Sequence, residues 1–322
     1  MDNQFSQAFP PTPAFTEKSI DNLSGKVYIV TGASTGVGKE LARLLYALNG
    51  TVYVAARVPA KAQTAIEWIK EQHPTSQGVL HHLYLDLSDL EGIQASADEF
   101  LLKEKRLDVL FNNAGVMFPP HGSTTKQGYE LQLGTNCVGP FLFTKLLTPI
   151  LVETAKKETT GSVRVIWVSS GAAHFSPTGG VDLQNLDYKT DKTKYQKYAI
   201  SKAGNILHAL EFQRRYKDSG IVSVALNPGN LSSELHRHLS SMQAWMISWI
   251  TYPAINGAYT ELFAGLSPEV AALKQGDWII PFGRTARLRR DLAETVTTKE
   301  EGGNGRAKAY WKWSEEQIKD YM

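Results

Sequence analysis

Tyr198 and Lys202 stand four residues apart in the stretch Tyr198-Ala199-Ile200-Ser201-Lys202. On a helix this spacing puts both side chains on one face, where a phenol and an ammonium can act together. A free phenol titrates near pH 10, too high for a base at neutral pH. A nearby ammonium favours the phenolate, and a downward shift of roughly three units needs about 4 kcal/mol, attainable for a close pair in a partly dry site. The pair therefore suits proton transfer at a substrate oxygen. Tyr195 lies seven residues from Lys202 rather than four, and is expected in a substrate loop instead.

A second chemistry is written near the start of the chain. The β-branched run from Lys26 to Thr31 leads into Thr31-Gly32-Ala33-Ser34-Thr35-Gly36-Val37-Gly38, after which Leu41, Leu44, Leu45 and Leu48 recur at helical spacing. Glycines let the backbone turn tightly and approach a pyrophosphate, whose charge is met by amides at the helix N-terminus. A P-loop is excluded: residue 40 is Glu, not the Ser or Thr that would hold Mg²⁺, and the residue six before Lys39 is Ala33, not Gly. An NAD site usually places Asp or Glu about 20 residues past the glycines, on the ribose 2′-hydroxyl. Here the second strand ends Val54-Ala55-Ala56-Arg57-Val58-Pro59, with no acid in the window. Arg57 offers a planar, permanently charged fork suited to a 2′-phosphate, and Lys61 follows one helical turn later. NADP is the expected cofactor.

Loops must be brought together at one sheet edge for these groups to meet. Strand patterns recur near Val52–Ala55, Leu80–Leu85, Asp108–Asn112, Val163–Ser169, Ile221–Leu226 and Trp278–Pro281, separated by helical patterns. Such alternation predicts an α/β fold, one doubly wound parallel sheet with helices on both faces. Asn112-Asn113-Ala114-Gly115 ends the fourth strand, where the carboxyl edge of an open sheet lines a ligand crevice. Residues 1–24, with Pro10, Pro11 and Pro13, read as an arm lacking its own fold; residues 25–290 are expected to hold both cofactor and substrate sites. A basic stretch (Arg284, Arg287, Arg289, Arg290) leads to a C-terminal extension, residues 291–322, with a glycine break at 302–305 and then Tyr310, Trp311 and Trp313.

Composition narrows the function classes. With 34 Lys and Arg against 32 Asp and Glu in 322 residues, the net charge of +2 argues against a dedicated nucleic-acid binder. The lone Cys137 excludes an internal disulfide and is expected to be a buried, inert thiol. His81-His82 and His236-x-His238 have no third ligand at metal spacing, so no metal is expected. Ser170 lacks the Gly-x-Ser-x-Gly elbow of a hydrolase, Val168 standing two before it. No run of 18 uncharged apolar residues predicts a transmembrane helix, and Met1 to Ile20 lack the pattern of a secretory signal. A soluble, cytoplasmic protein is expected.

Taken in order, Thr31-Gly32 through Gly38, Asn112-Asn113-Ala114-Gly115, Asn136, Ser170, Tyr198 with Lys202, and Pro228-Gly229 resemble the short-chain dehydrogenase/reductase family, over about Gly25 to Phe282. The resemblance implies a Rossmann-type sheet of about seven strands in the order 3-2-1-4-5-6-7. It implies Tyr198 as general acid/base, Ser170 orienting and polarising the substrate oxygen, Lys202 lowering the tyrosine pKa and holding the nicotinamide ribose, and Asn136 anchoring a water through which the proton leaves. Ser170 is preferred to Ser169 because the family's serine is usually the second of such a pair. Implied cofactor contacts are Gly32, Ser34, Thr35, Gly36, Val37, Arg57, Lys61, Asp86, Leu87, Asn113, Ala114, Gly115, Tyr198, Lys202, Pro228 and Gly229, with Ser233 where the family often has Thr.

Ala56-Arg57, the long stretch from Ser170 to Tyr198, and Asn227-Pro228-Gly229 with Ser233-Glu234-Leu235 resemble retinol-dehydrogenase-like members; the tail from Trp278 to Gln317 resembles fungal relatives, many in secondary metabolism. The expected activity is an NADP(H)-dependent interconversion of ketone or aldehyde and alcohol on a fairly large apolar small molecule. Two alternatives stand beside it: a peripheral membrane retinoid or steroid dehydrogenase anchored by the Trp-rich segment and the arginines near Arg287, and an NADP-binding scaffold without turnover. Leu239, Met242, Trp245, Met246, Trp249 and Ile250 follow helical spacing, and the segment from His236 to Tyr252 reads equally as a packing face, a homodimer face or a lid over an apolar substrate.

Overall fold

In β1 (Val27–Thr31), Val27 and Ile29 enter one apolar layer while Tyr28 and Val30 enter the other, so the strand is buried on both faces. That is the pattern of a parallel strand covered by helices on each side. The computed structural model describes residues 4–232, 251–298 and 301–322. The strands that follow are β2 (Thr51–Ala56), β3 (Val79–Tyr84), β4 (Val109–Asn112), β5 (Arg164–Val168), β6 (Val222–Leu226), β7 (Asp277–Ile280) and β8 (Arg284–Arg287). They form one sheet in the order β3-β2-β1-β4-β5-β6-β7-β8, parallel except for the β7–β8 pair. The seven-strand order expected from the resemblance is present. The eighth strand lies in the basic stretch, where Arg284-Thr285-Ala286-Arg287 carries no apolar alternation; its residues are half-buried or exposed, as befits an edge.

The helices are α1 (Gln4–Ala8), α2 (Gly36–Ala47), α3 (Pro59–Gln72), α4 (Leu90–Lys103), α5 (Leu131–Ala155), α6 (Lys194–Tyr216), α7 (Ala254–Leu266), α8 (Arg290–Ala293) and α9 (Arg306–Ile318). One layer joins Leu83, Ile93, Phe100, Phe141, Trp167 and Ile206; the other joins Leu41, Leu45, Ile66, Phe111, Val224 and Leu262. α5 is long and apolar enough to cross a membrane, but most of it is buried inside the protein against the sheet.

Both chain ends dock on this frame. Phe15 packs edge-on against Phe263 at 5.6 Å between ring centroids, and α1 reaches the carboxyl edge of the sheet. At the other end, Tyr310 and Trp311 of α9 are fully buried. Trp311 meets Phe141 edge-on at 4.7 Å, with the Arg215 guanidinium 4.8 Å from its ring, and Tyr310 stacks on His208 at 4.7 Å. The glycine break sets this tail apart in the sequence, but its aromatic residues recur at helical spacing. That spacing gives α9 an apolar face which can be buried only against α5 and α6.

Candidate active site

The glycine loop turns where only glycine is comfortable. Gly32 and Gly36 have φ of +69° and +56°, in the left-handed region that disfavours a side chain. A Cβ at Gly38 would stand 2.5 Å from Asn113 Nδ2 and 2.8 Å from the Gly32 carbonyl oxygen. β4 is tied to this loop: the Ala114 amide donates to Thr31 Oγ1 at 2.9 Å, and Asn113 Nδ2 donates to the Thr31 carbonyl at 2.6 Å. The loop and the N-terminus of α2 border a cavity of about 230 Å³. Gly32, Ser34, Thr35, Gly36, Val37, Arg57, Lys61, Asp86, Leu87, Asn113, Ala114 and Gly115 all line it. Arg57 and Lys61 are exposed. Asp86 Oδ1 accepts from the Ser88 amide (2.9 Å) and hydroxyl (2.6 Å), which fixes the turn after β3. Thr135, absent from the residues singled out in the sequence, also lines the cavity, and its buried Oγ1 has no hydrogen-bond partner among the described residues. A glycine cradle, helix-terminal amides and an unanswered hydroxyl fit a bound dinucleotide.

The second constellation forms where β5 ends and α6 begins. Thr193 and Gln196 close a capping box at the start of α6, which orients its first two turns. Tyr198 and Lys202 are both buried, at 6% and 4% exposed. Ser170 caps a short 3-10 turn (Gly171–Phe175), its Oγ accepting from the Ala172 amide at 3.1 Å, and it is hydrogen-bonded to Tyr198. Ser169 is engaged elsewhere, donating from Oγ to the Lys202 carbonyl at 2.7 Å. Burial pushes the Tyr198 phenol up to about 12, with the Ser170 hydrogen bond opposing and Tyr195 adding to the rise. Burial pushes the Lys202 ammonium down to about 8, the charges of Cys137 and Glu261 opposing. Lys202 Nζ lies 5.8 Å from the Tyr198 ring centroid and donates to the Val168 carbonyl at 2.9 Å. The expected downward shift of the tyrosine is therefore not what this arrangement produces. Desolvation is the largest cause of the shift in both groups.

Asn136 sits in a π-helical turn of α5, Gly134–Val138. Its Oδ1 accepts from the Val116 amide at 2.8 Å, and its Nδ2 donates to the Val116 carbonyl and to Ser201 Oγ, both at 3.0 Å. Cys137, beside it, is buried with its thiol pushed up to about 12, which keeps it inert. His81 packs on Tyr53 at 4.9 Å between centroids and His82 bonds the Ala56 carbonyl; His236 and His238 lie outside the described residues.

Ser170, Tyr198 and Lys202 line a larger cavity of about 470 Å³, together with Pro228 and Gly229. Val37, Asn113, Gly115 and Val116 line both cavities, so the two meet at the end of β4. Phe118 lies 5.6 Å from Tyr198 and 6.1 Å from Tyr195, and Tyr195 lies 5.7 Å from Phe175, forming an aromatic wall. Gln4, Gln7 and Ala8 of the N-terminal arm complete the lining. No local signal marks them, because a proline-rich start carries neither motif nor periodicity. Behind the site, Glu261 of α7 is fully buried with neither carboxylate oxygen hydrogen-bonded among the described residues; burial pushes its carboxyl up to about 8, against the pull of Lys202. Ser233 and the stretch 233–250, which holds Trp245 and Trp249, lie outside the described residues.

Residues 26–182 match the short chain dehydrogenase family. The chain is 54% identical to a short-chain dehydrogenase/reductase of Phomopsis amygdali, over 99% of this chain and 97% of that protein. It is 49% identical to the short-chain dehydrogenase/reductase pkfC of Emericella nidulans, over 96% and 98%. Among solved structures, an uncharacterized protein from Mycobacterium paratuberculosis superimposes with a TM-score of 0.68 at 28% identity, covering 95% of this chain and 97% of that one. Glycine cradle, tyrosine–lysine helix and full-length similarity agree: the chain belongs to the short-chain dehydrogenase/reductase family of oxidoreductases.

Proposed function

We propose that the protein is an NADP(H)-dependent reductase of ketones or aldehydes carried on a fairly large apolar small molecule. The observation that carries this reading is the convergence of Ser170, Tyr198 and Lys202 on a cavity of about 470 Å³ that meets the glycine-loop cavity at Gly115. A bound nicotinamide supplies the hydride for the carbonyl carbon, or accepts it in the reverse direction. Tyr198 keeps its proton at neutral pH, since burial raises its pKa, and so is ready to donate it to the substrate oxygen as alkoxide charge develops there. Ser170 polarises that oxygen beside the tyrosine. Lys202, anchored on the Val168 carbonyl, lines the same cavity and would hold the ribose of a bound cofactor. Asn136 acts through position, because both polar atoms of its side chain are committed to Val116 and Ser201.

Arg57 and Lys61 support NADP over NAD: exposed cations line the end of the cavity next to β2, and no carboxylate ends that strand. Of the two parts of the peripheral membrane alternative, the Trp-rich segment lies outside the described residues, and the arginines are ion-paired: Arg287 with Asp277 (2.8 Å), Arg289 with Asp291 (2.5 Å) and Arg290 with Glu294 (2.7 Å). The deciding experiment is NADPH consumption against polycyclic ketones, quinones, retinal and steroids, with NADH in parallel. Turnover with NADH alone, or with no carbonyl in the panel, overturns the reading.

A further inference from the structure

We infer that the N-terminal helix α1 is a wall of the substrate site, and that Gln7 and Ala8 help decide which carbonyl compounds enter. This rests on the reading of the larger cavity as the carbonyl site. A five-residue helix does not persist in water by itself, so α1 exists only because it is docked. Two tethers dock it. Gln7 is 6% exposed, and its Oε1 accepts from Asn227 Nδ2 at 2.8 Å. Asn227 in turn accepts the Gly229 amide on Oδ1 at 3.1 Å, so one side chain joins the arm to the Pro228-Gly229 loop. The second tether comes from β8: Arg284 donates to the Ser6 carbonyl at 2.7 Å and, from Nε, to the Pro281 carbonyl at 2.7 Å.

The docked helix presents Gln7 and Ala8 to the cavity that also holds Ser170 and Tyr198. Phe118, Phe175 and Tyr195 line the same cavity. A flat, apolar carbonyl compound large enough to span this space touches the arm, whereas a small one bonded at Tyr198 does not need it. Contacts of this kind separate substrates by size without entering the chemical step.

The test uses two probes with the same dicarbonyl group, 9,10-phenanthrenequinone as the bulky one and 2,3-butanedione as the small one, on the full chain with NADPH. Ala8→Phe, which fills the cavity, should raise KM for phenanthrenequinone at least tenfold and leave KM for butanedione and Kd for NADPH within twofold. Gln7→Ala should shift the same ratio in the same direction by loosening the arm. Hydrogen exchange needs no substrate: the Phe9 amide, which donates to the Phe5 carbonyl at 2.9 Å, should be protected in the wild type and exchange at least tenfold faster in Gln7→Ala. An unprotected Phe9 amide in an active enzyme, or an unchanged ratio of the two KM values in both variants, overturns the role of the arm alone. A protected arm on a protein that reduces neither probe counts against the reductase reading, and takes the substrate role of the arm with it.

Discussion

Asn136 and Val116 hold each other by two hydrogen bonds, 2.8 Å from the Val116 amide to Oδ1 and 3.0 Å from Nδ2 to the Val116 carbonyl. One side chain of α5 thus fixes the backbone that borders both cavities. Asn136→Ala leaves a backbone donor and acceptor unanswered in a part-buried place, at about 1–3 kcal/mol for each group that water cannot reach. The expected outcome is a lower urea midpoint together with a fall in kcat larger than the rise in KM. Asn136→Asp keeps the acceptor for the Val116 amide and should fall between. Unchanged stability in the alanine variant would remove the positioning role.

Tyr198→Phe deletes the hydroxyl hydrogen-bonded to Ser170 and little else. Turnover should fall below about a hundredth of wild type, the scale of a lost general acid, while NADPH binding by calorimetry stays within about twofold. Turnover above that level takes the proton-donor role from Tyr198.

Arg57→Ala should weaken NADPH binding about 10- to 100-fold, matching the roughly 1.5–3 kcal/mol of hydrogen bonds to a charged group, and leave NADH binding almost unchanged. Equal losses for both dinucleotides would make Arg57 a structural residue.

Glu261 makes stability depend on pH. Its carboxyl titrates near 4.5 in an unfolded chain and at about 8 in the folded one, so between these values the folded state holds a proton that the unfolded state has released. Stability then falls as pH rises through that window. Glu261→Gln replaces the buried acid by a neutral group of the same shape. The variant should equal or exceed wild type in urea midpoint at pH 8 and show a flatter midpoint between pH 5 and pH 8. Parallel pH profiles for the two proteins would mean that the carboxyl is not buried uncharged.

Trp311→Ala opens a hole among Phe141, Phe212 and Arg215, and should cost about 3–5 kcal/mol of unfolding free energy, as large aromatic deletions in cores do. Denaturant titration of the full chain measures it. A loss under about 1 kcal/mol would mean that α9 is an appendage and not part of the core.

Short-range pattern was enough for much of this. The four-residue spacing of Tyr198 and Lys202, the glycines after β1, Arg57 at the end of β2 and the alternation of strands and helices are all local, since each follows from the period of one element or the backbone freedom of one residue. From them come the doubly wound parallel sheet, the glycine loop and the tyrosine–lysine face; the order of seven strands and most of the cofactor contacts come from the family resemblance. The rest depended on distant segments meeting. β8 has no apolar alternation because an edge strand in a charged stretch needs none, and its Arg284 gains meaning only from a carbonyl nearly three hundred residues earlier in the chain. Thr135 and Gln7 are ordinary polar residues until folding places one against the glycine loop and the other beside Asn227. The direction of the Tyr198 shift reversed for the same reason: spacing puts the ammonium on the right face of the helix, but only the packed interior sets how much water both groups lose. Desolvation belongs to the assembled protein, not to any stretch of sequence.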